Sequence, residues 1–307
     1  MLLVLYAGEG SFFKSHKDTP RGPDMFGSLV VVFPTAHEGG ALILRHGEKE
    51  WTFDPAKEIS QQSQPSVGYI AFYSDIEHEV AFVKSGFRVT LTYNLYYSTN
   101  AVNGNPAVAV PVNSAASPNE TAFKAALSDL LADASVLPQG GPLGFGLHHE
   151  YPVTVKTELS TLNDRLKGSD AIIRRVCSQL SLDTSLKVIY KEDKYSRIFN
   201  IMTNRFADLS QDDQVESVWE RLSGSEYGGV VVYSVGQKIP EMYTYDWETR
   251  KRVKAKPVEI FWATALTKVT SLEKEFIAYG NEASLSYLYG TVFLVAQVGP
   301  PGHRTEL

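Results

Sequence analysis

The first 97 residues consist of short apolar runs separated by glycine, proline, aspartate and serine. The runs are rich in valine, isoleucine, tyrosine, phenylalanine and threonine, which strands favour, and the interruptions are typical of turns. The clearest runs are MLLVLYAG, SLVVVFP, GALILRHG, SVGYIAFY, HEVAFVKS and GFRVTLTYNLYY. This spacing predicts an all-β sandwich or barrel for the N-terminal third of the chain.

One predicted strand, residues 86–97, alternates between apolar and polar positions. Its two faces carry Phe87, Val89, Leu91, Tyr93, Leu95 and Tyr97 on one side, and Arg88, Thr90, Thr92, Asn94 and Tyr96 on the other. Successive side chains of a strand point to opposite faces, so the two sets are separated by the sheet. We expect the apolar face to pack against a neighbouring layer and the polar face to line the bore of a small, ligand-holding barrel.

The remaining two thirds of the chain change character twice. Residues 99–143 are rich in asparagine, alanine, serine, proline and glycine, and predict a linker or crossing segment with a short helix near residues 120–134. Residues 144–307 predict an α+β region, with helices interrupted near Gly168 and several strands after them. These strands either form a second, degenerate barrel or extend the first one, whose expected range is residues 1–98.

Length, net charge, apolar runs and cysteine content limit the class of protein and the partners that the chain is expected to have. A length of 307 residues predicts one large or two modest domains, and the net charge of −6 argues against broad nucleic-acid binding. No apolar run approaches the roughly 20 residues that cross a bilayer, and the first residues lack the basic start of a secretory signal. Cys177 is the single cysteine, so no disulfide forms within the chain. We therefore expect a cytoplasmic or nuclear protein without membrane contact.

The candidate chemistry lies in the β-rich third. His16 and Asp18 are two residues apart, so in a strand they share a face, and His78 follows at the start of another predicted strand. Two imidazoles and one carboxylate form the facial triad of non-heme Fe(II) enzymes, which leaves three positions open on the ion. Arg88 follows ten residues after His78. Its planar, permanently charged guanidinium suits a carboxylate, although Arg88 alone is equally explained as a buried ion-pair partner.

Three stretches resemble one enzyme family. The stretches GSFFKSHKDTP, MFGSLVVVFPTAHEGGALILRHG and YIAFYSDIEHEVAFVKSGFRVTLTYNL are similar to the Fe(II)/2-oxoglutarate-dependent oxygenase superfamily, and within it to fungal-type members of the prolyl-4-hydroxylase-like branch. The resemblance covers residues 1 to about 97. It implies a double-stranded β-helix of the jelly-roll or cupin type, iron ligation by His16, Asp18 and His78, and binding of the 2-oxoglutarate carboxylate by Arg88.

Two further residues are candidate co-substrate contacts. Thr90 shares the face of Arg88 and adds a hydroxyl donor. Tyr6 stands ten residues before His16, whereas the corresponding family tyrosine commonly stands nine before, so a contact with 2-oxoglutarate and a plain core position both remain open for it. Collagen-type relatives usually have lysine in place of Arg88, so a collagen-like substrate does not follow from the resemblance.

The resemblance also implies an activity. The chain is expected to be a dioxygenase that consumes O2 and 2-oxoglutarate, releases succinate and CO2, hydroxylates a C–H bond, and is supported by ascorbate. A protein side chain such as proline is the first expectation for its substrate, with residues 144–307 serving substrate recognition or dimer contact. Oxidation of a small metabolite, nucleobase demethylation and a non-catalytic barrel scaffold are the alternatives. The oligomeric state stays open.

Overall fold

A computed structural model describes most of the chain in two compact units, Met1–Pro111 and Val112–Leu307. The described residues are 1–7, 9–22, 24–64, 66–97, 117–194, 197–209, 218–224, 226–237, 243–246, 250–254, 256–279 and 283–305. Residues 98–116, a large part of the predicted linker, lie outside them. The chain is mainly β with helices, as predicted. No helix among the described residues is long and apolar enough to cross a membrane.

The first unit consists of two antiparallel sheets. Its elements are β1 (Leu2–Ala7), β2 (Phe13–His16), β3 (Met25–Val32), β4 (His37–Gly39), β5 (Leu42–His46), β6 (Lys49–Phe53), α1 (Pro55–Ser60), β7 (Gly68–Tyr73), β8 (Glu77–Val80) and β9 (Val83–Tyr96). One sheet has the order β1-β9-β3-β7 with β4 beside β9, and the other has the order β2-β8-β5-β6. Tyr6 of the first sheet shares a core with Leu42, Leu44 and Val80 of the second. The predicted jelly-roll barrel is confirmed.

The polar face of β9 is the inner face, as predicted. Arg88 and Thr90 are buried, at 1% and 2% exposure. The opposite face differs from the expectation, because Phe87 is 57% exposed and its sheet neighbours Leu3 and Leu5 are also exposed. The polar residues of β9 therefore form its inner face. In an ordinary half-buried strand the apolar residues face the core instead.

Glycines allow the chain to close around the inner face of β9. Gly86 has φ +75°, and a Cβ atom at this residue would lie 2.1 Å from the carbonyl oxygen of Ala36. Only glycine fits such an approach without strain. It lets β4 pair with the beginning of β9, so the barrel tightens next to Arg88.

The second unit contains nine further strands in its described part. Its elements are α2 (Pro118–Ala132), β10 (Gly141–Gly146), a 3₁₀ helix (Leu159–Arg165), α3 (Gly168–Gln179), β11 (Thr184–Lys194), β12 (Arg197–Thr203), α4 (Val218–Leu222), β13 (Val230–Ser234), β14 (Tyr243–Asp246), β15 (Lys251–Lys254), β16 (Val258–Trp262), β17 (Ser271–Tyr279) and β18 (Ala283–Val298). Residues 117–143, assigned to the linker from the sequence, form α2 and the start of β10. The predicted interruption at Gly168 separates the 3₁₀ helix from α3.

Strand pairing in the second unit closes on itself. The order β10-β16-β13-β12-β11-β18 returns to β10 through a further β10–β18 pairing, and β17 adds to β18. Two of the pairings, β10–β16 and β13–β16, are parallel. A small core with Ile189, Val232 and Phe293 covers one face of these strands, while a larger core with Val176 of α3 covers the other. This closed mixed ring corresponds to the second barrel that the sequence left as one of two options.

Candidate functional site

Two histidines face each other across neighbouring strands of the first unit. His16 of β2 and His78 of β8 are direct cross-strand partners, and their ring centroids are 4.2 Å apart. Phe13 packs on His16 at 4.6 Å and Phe72 packs on His78 at 4.7 Å. The aromatic contacts restrict both imidazole rings to orientations in which they approach one another.

The hydrogen bonds of both rings define which nitrogen is available. His16 Nδ1 lies 2.9 Å from the carbonyl oxygen of Lys14, and His78 Nδ1 lies 3.0 Å from that of Ile76. A carbonyl oxygen only accepts, so each Nδ1 carries the proton and donates. In a neutral imidazole the Nε2 lone pair is then free to bind a metal ion. Burial is the main cause that lowers the pKa of His78, which favours this neutral form.

The carboxylate of Asp18 completes the cluster. Its Oδ1 lies 3.9 Å from His78 Nε2, and its Oδ2 accepts a hydrogen bond of 2.5 Å from the hydroxyl of Ser28. One ligand atom from each of His16, Asp18 and His78 lies within 4.8 Å of the others. Two imidazole nitrogens and one carboxylate oxygen are a donor set that suits divalent iron and leaves coordination positions open.

Arg88 presents a cation with unused donors. Its Nε and Nη2 are buried and have no hydrogen-bond partner among the described residues. Tyr6, its cross-strand partner, lies with its ring 5.1 Å below the guanidinium carbon. Burial lowers the pKa of Arg88, against a smaller opposing effect of Tyr6, and burial also raises the pKa of Tyr6. A buried guanidinium without a carboxylate is costly, so this cavity is suited to an anion.

One cavity of about 120 Å³ connects the cluster with Arg88. Its wall consists of Leu2, Val4, Tyr6, Phe13, His16, Asp18, Ser28, Val30, Leu42, Phe72, His78, Val80, Arg88, Thr90 and Thr92. The structure thus gathers all six residues that the sequence proposed for the site, and their roles stay predictions.

Sequence reasoning missed two residues of this site. Ser28 stands in an apolar run, and nothing in its neighbourhood indicates a contact with Asp18. Gly40 is the second of two adjacent glycines in the EGGALILRHG stretch, and this glycine pair was a signal that the sequence offered. It has φ +69°, and a Cβ atom there would lie 2.8 Å from Arg88 Cδ. The absent side chain leaves room for the Arg88 arm.

Residues 1–96 match the family model of the 2OG-Fe(II) oxygenase superfamily. Among solved structures, the chain is 22% identical to an oxidoreductase of the 2OG-Fe(II) oxygenase family from Burkholderia pseudomallei, with a TM-score of 0.25 over 30% of this chain and 39% of that one. It is also 22% identical to a prolyl-4-hydroxylase from Pseudomonas putida, with a TM-score of 0.25 over 32% of this chain and 51% of that one. The chain thus spans about half or less of these proteins. No curated protein sequence matches it significantly.

The groups that the 2OG-Fe(II) oxygenase superfamily implies, Fe(II) and 2-oxoglutarate, fit the residues present. The two free Nε2 lone pairs and the Asp18 carboxylate supply the donor set for iron. The guanidinium of Arg88, whose Nε and Nη2 find no acceptor within the described ranges, supplies the counter-charge for a dicarboxylate. Both sets line the same cavity.

Proposed function

We propose that the protein is an Fe(II)- and 2-oxoglutarate-dependent dioxygenase that hydroxylates a C–H bond, with release of succinate and CO2. One observation carries this proposal: a buried guanidinium, two of whose donors have no partner in the described part of the chain, lines the same cavity as a cluster of two histidines and one aspartate. A metal cluster alone is compatible with many activities. A metal cluster together with an unsatisfied buried cation favours a metal-bound substrate that carries a carboxylate.

Each residue of the cavity has a distinct task in this proposal. His16, Asp18 and His78 hold the iron, which, when bound, supplies O2 activation coupled to oxidative decarboxylation of 2-oxoglutarate. Arg88 binds the far carboxylate, Thr90 on the same face donates a hydroxyl, and Tyr6 supports the arginine from below. Phe13 and Phe72 pack against the imidazoles and restrict their orientations.

The substrate we propose is a protein side chain, with proline first, as in fungal-type members of the prolyl-4-hydroxylase-like branch. The cavity is apolar around the metal cluster, with Val30, Leu42 and Val80 in its wall, and is suited to an aliphatic C–H bond. A small metabolite suits the same wall. The net charge of −6 disfavours nucleobase demethylation. We assign substrate recognition or dimer contact to residues 144–307, and a cytoplasmic or nuclear location to the protein.

The test measures succinate formed by the purified full chain with Fe(II), ascorbate, O2 and 2-oxoglutarate. We expect slow turnover without added substrate, and loss of both turnover and iron uptake in His16→Ala. His37→Ala is the matched control, since His37 lies on β4 and does not line the cavity. Iron uptake by the wild type without any succinate would favour the non-catalytic scaffold. Absence of both would refute the proposal.

A further inference from the structure

Ser28 occupies a rigid position at the wall of the metal cavity. It lies in β3, an inner strand of its sheet, where it pairs with Asn94 of β9 on one side and Phe72 of β7 on the other. The residue is 2% exposed, and its side chain lines the cavity together with Val30. Its hydroxyl donates a hydrogen bond of 2.5 Å to Asp18 Oδ2. The donor is therefore fixed by a sheet, not by a loop.

Asp18 itself lacks such support from its backbone. It follows the end of β2 and lies in a segment without regular structure before β3. The alternation of a strand therefore places His16, but it does not fix the orientation of the carboxylate two residues later. A short O–H···O⁻ hydrogen bond belongs to the strong, charge-assisted class. With Oδ2 held in this bond, Oδ1 is the oxygen that faces His78 Nε2, at 3.9 Å.

We infer that Ser28 is a positioning residue that orients Asp18 as a one-oxygen metal ligand. The inference rests on the proposed function, because it assumes a metal ion at His16, Asp18 and His78. Holding Oδ2 away from the ion leaves Oδ1 for ligation and keeps the remaining positions open for reactants. Without the hydroxyl, the carboxylate rotates freely on a backbone that no strand restrains, so the cluster loses its preorganised geometry.

The test is a titration of the metal-free full chain with Co(II), followed by its visible absorption, which needs no turnover. We expect one Co(II) per wild-type chain. In Ser28→Ala the dissociation constant should rise about 10- to 100-fold, as is typical when the hydrogen-bond partner of a metal ligand is lost. The absorption bands should also shift, because the carboxylate ligates differently. Ser28→Thr, which keeps a hydroxyl in a residue that strands favour, should restore both.

Val32→Ala is the matched control. Val32 is fully buried on the same face of β3 and is not among the residues of the cavity wall, so its truncation removes packing without touching the Asp18 hydrogen bond. It should lower the melting temperature while leaving the Co(II) affinity unchanged. Wild-type affinity in Ser28→Ala, or equal weakening in Val32→Ala, would overturn the assignment to Ser28 alone. Failure of the wild type to bind Co(II) would overturn the metal site itself, and the proposed function with it.

Discussion

At the scale of single residues, Arg88 combines a structural cost with the binding role that we propose for it. It is 1% exposed, and two of its donors have no partner among the described residues. A buried charge without a partner destabilises a protein, whereas an apolar residue of similar size is neutral or stabilising at such a site. The same unsatisfied donors become an advantage when a carboxylate enters the cavity. Under the proposed function, stability and co-substrate binding therefore oppose each other at this position.

Arg88→Met should separate these two effects. We expect the ligand-free variant to melt at the same or a higher temperature than the wild type, and to bind 2-oxoglutarate at least about 30-fold more weakly, since loss of a buried charged hydrogen-bond partner costs about 2–5 kcal/mol. Calorimetric titration of the Mn(II)-loaded protein with 2-oxoglutarate measures the second effect. Arg45→Met is the control, because Arg45 pairs with Glu50 and Glu79 near the surface. A marked fall in melting temperature with unchanged 2-oxoglutarate affinity would make Arg88 a structural residue.

Substitution of Gly40 tests whether 2-oxoglutarate binding depends on the position of the Arg88 side chain. An added Cβ atom would lie 2.8 Å from Arg88 Cδ, and the backbone has φ +69°. Gly40→Ala should therefore destabilise the protein by about 1–2 kcal/mol through backbone strain, and also weaken 2-oxoglutarate binding by displacing the arginine. Gly47→Ala separates the two causes, because Gly47 has φ +58° and no atom of the described residues lies within 4 Å of the added Cβ. Only the first variant should affect binding, and equal binding by both would exclude crowding of Arg88.

At the scale of elements, a buried carboxylate ties the start of α3 to the segment after β10. Asp170 is fully buried and accepts hydrogen bonds from the backbone N–H groups of His148 and His149, at 2.9 and 3.1 Å, and from the Tyr151 hydroxyl at 2.9 Å. His148 Nδ1 lies 3.5 Å from the same carboxylate. The hydrogen bond to Asp170 is the main cause that raises the pKa of His148 above its ordinary value.

This pair predicts a pH dependence with a definite sign. Because the folded state binds the His148 proton more tightly, the protonated ring contributes stability that is fully present below the unfolded pKa of about 6.5 and is lost as the pH rises through the raised folded pKa. Urea unfolding at several pH values, from below the unfolded pKa of His148 to above its folded pKa, measures this effect. The difference in the free energy of unfolding between the wild type and His148→Gln should shrink as the pH rises. A proton NMR titration of His148 in Asp170→Asn, where the pKa should fall, is the control. A difference that grows with pH would contradict the prediction.

Strands can be predicted from the sequence where strand-forming residues are frequent. They cannot be predicted where contacts with neighbouring strands, and not the strand's own residues, stabilise them. The runs SLKVIYKED (residues 185–193) and LSYLYGTVFLVAQV (residues 285–298) are rich in strand-forming residues, and they form β11 and much of β18. By contrast β10, with the sequence GPLGFG, contains three glycines and was not expected. It forms because the ring of Trp262 covers Gly144, where an added Cβ atom would lie 2.7 Å from it, and because β16 and β18 flank it. Packing of this kind between strands cannot be inferred from the sequence of one strand alone.

The residues of the candidate site also divide into those that the sequence predicts and one that it does not. His16, His78 and Arg88 were accessible to sequence reasoning because each lies in a strand that the sequence predicts, whereas Asp18 follows the end of β2 and was found from its spacing to His16 alone. Ser28 was not, since its contact with Asp18 spans ten residues and depends on how β3 pairs with β7 and β9. Candidate binding residues can be predicted from their chemistry, whereas a residue proposed to orient them can be found only from the sheet register.

At the scale of the whole molecule, every residue of the candidate site belongs to the unit Met1–Pro111. The second unit, Val112–Leu307, has its own cores and its own closed ring of strands. A ligand stabilises the structure that contains its binding site, by about 2.7 kcal/mol at a concentration of 100 times its dissociation constant. Metal and co-substrate should therefore act first on the stability of the first unit.

Hydrogen exchange followed by mass spectrometry measures this distribution on the intact chain. With saturating Mn(II) and 2-oxoglutarate, we expect slower exchange in peptides from β2, β8 and β9, which carry His16, His78 and Arg88, and unchanged exchange in peptides from β11 and β18. His16→Ala is the control and should show no added protection, because the metal no longer binds. Protection confined to the first unit means that its barrel opens independently of the second. Equal protection of β11 and β18 would show that the two units open as one cooperative structure, so that residues 112–307 contribute to the energetics of the site without supplying any of its side chains.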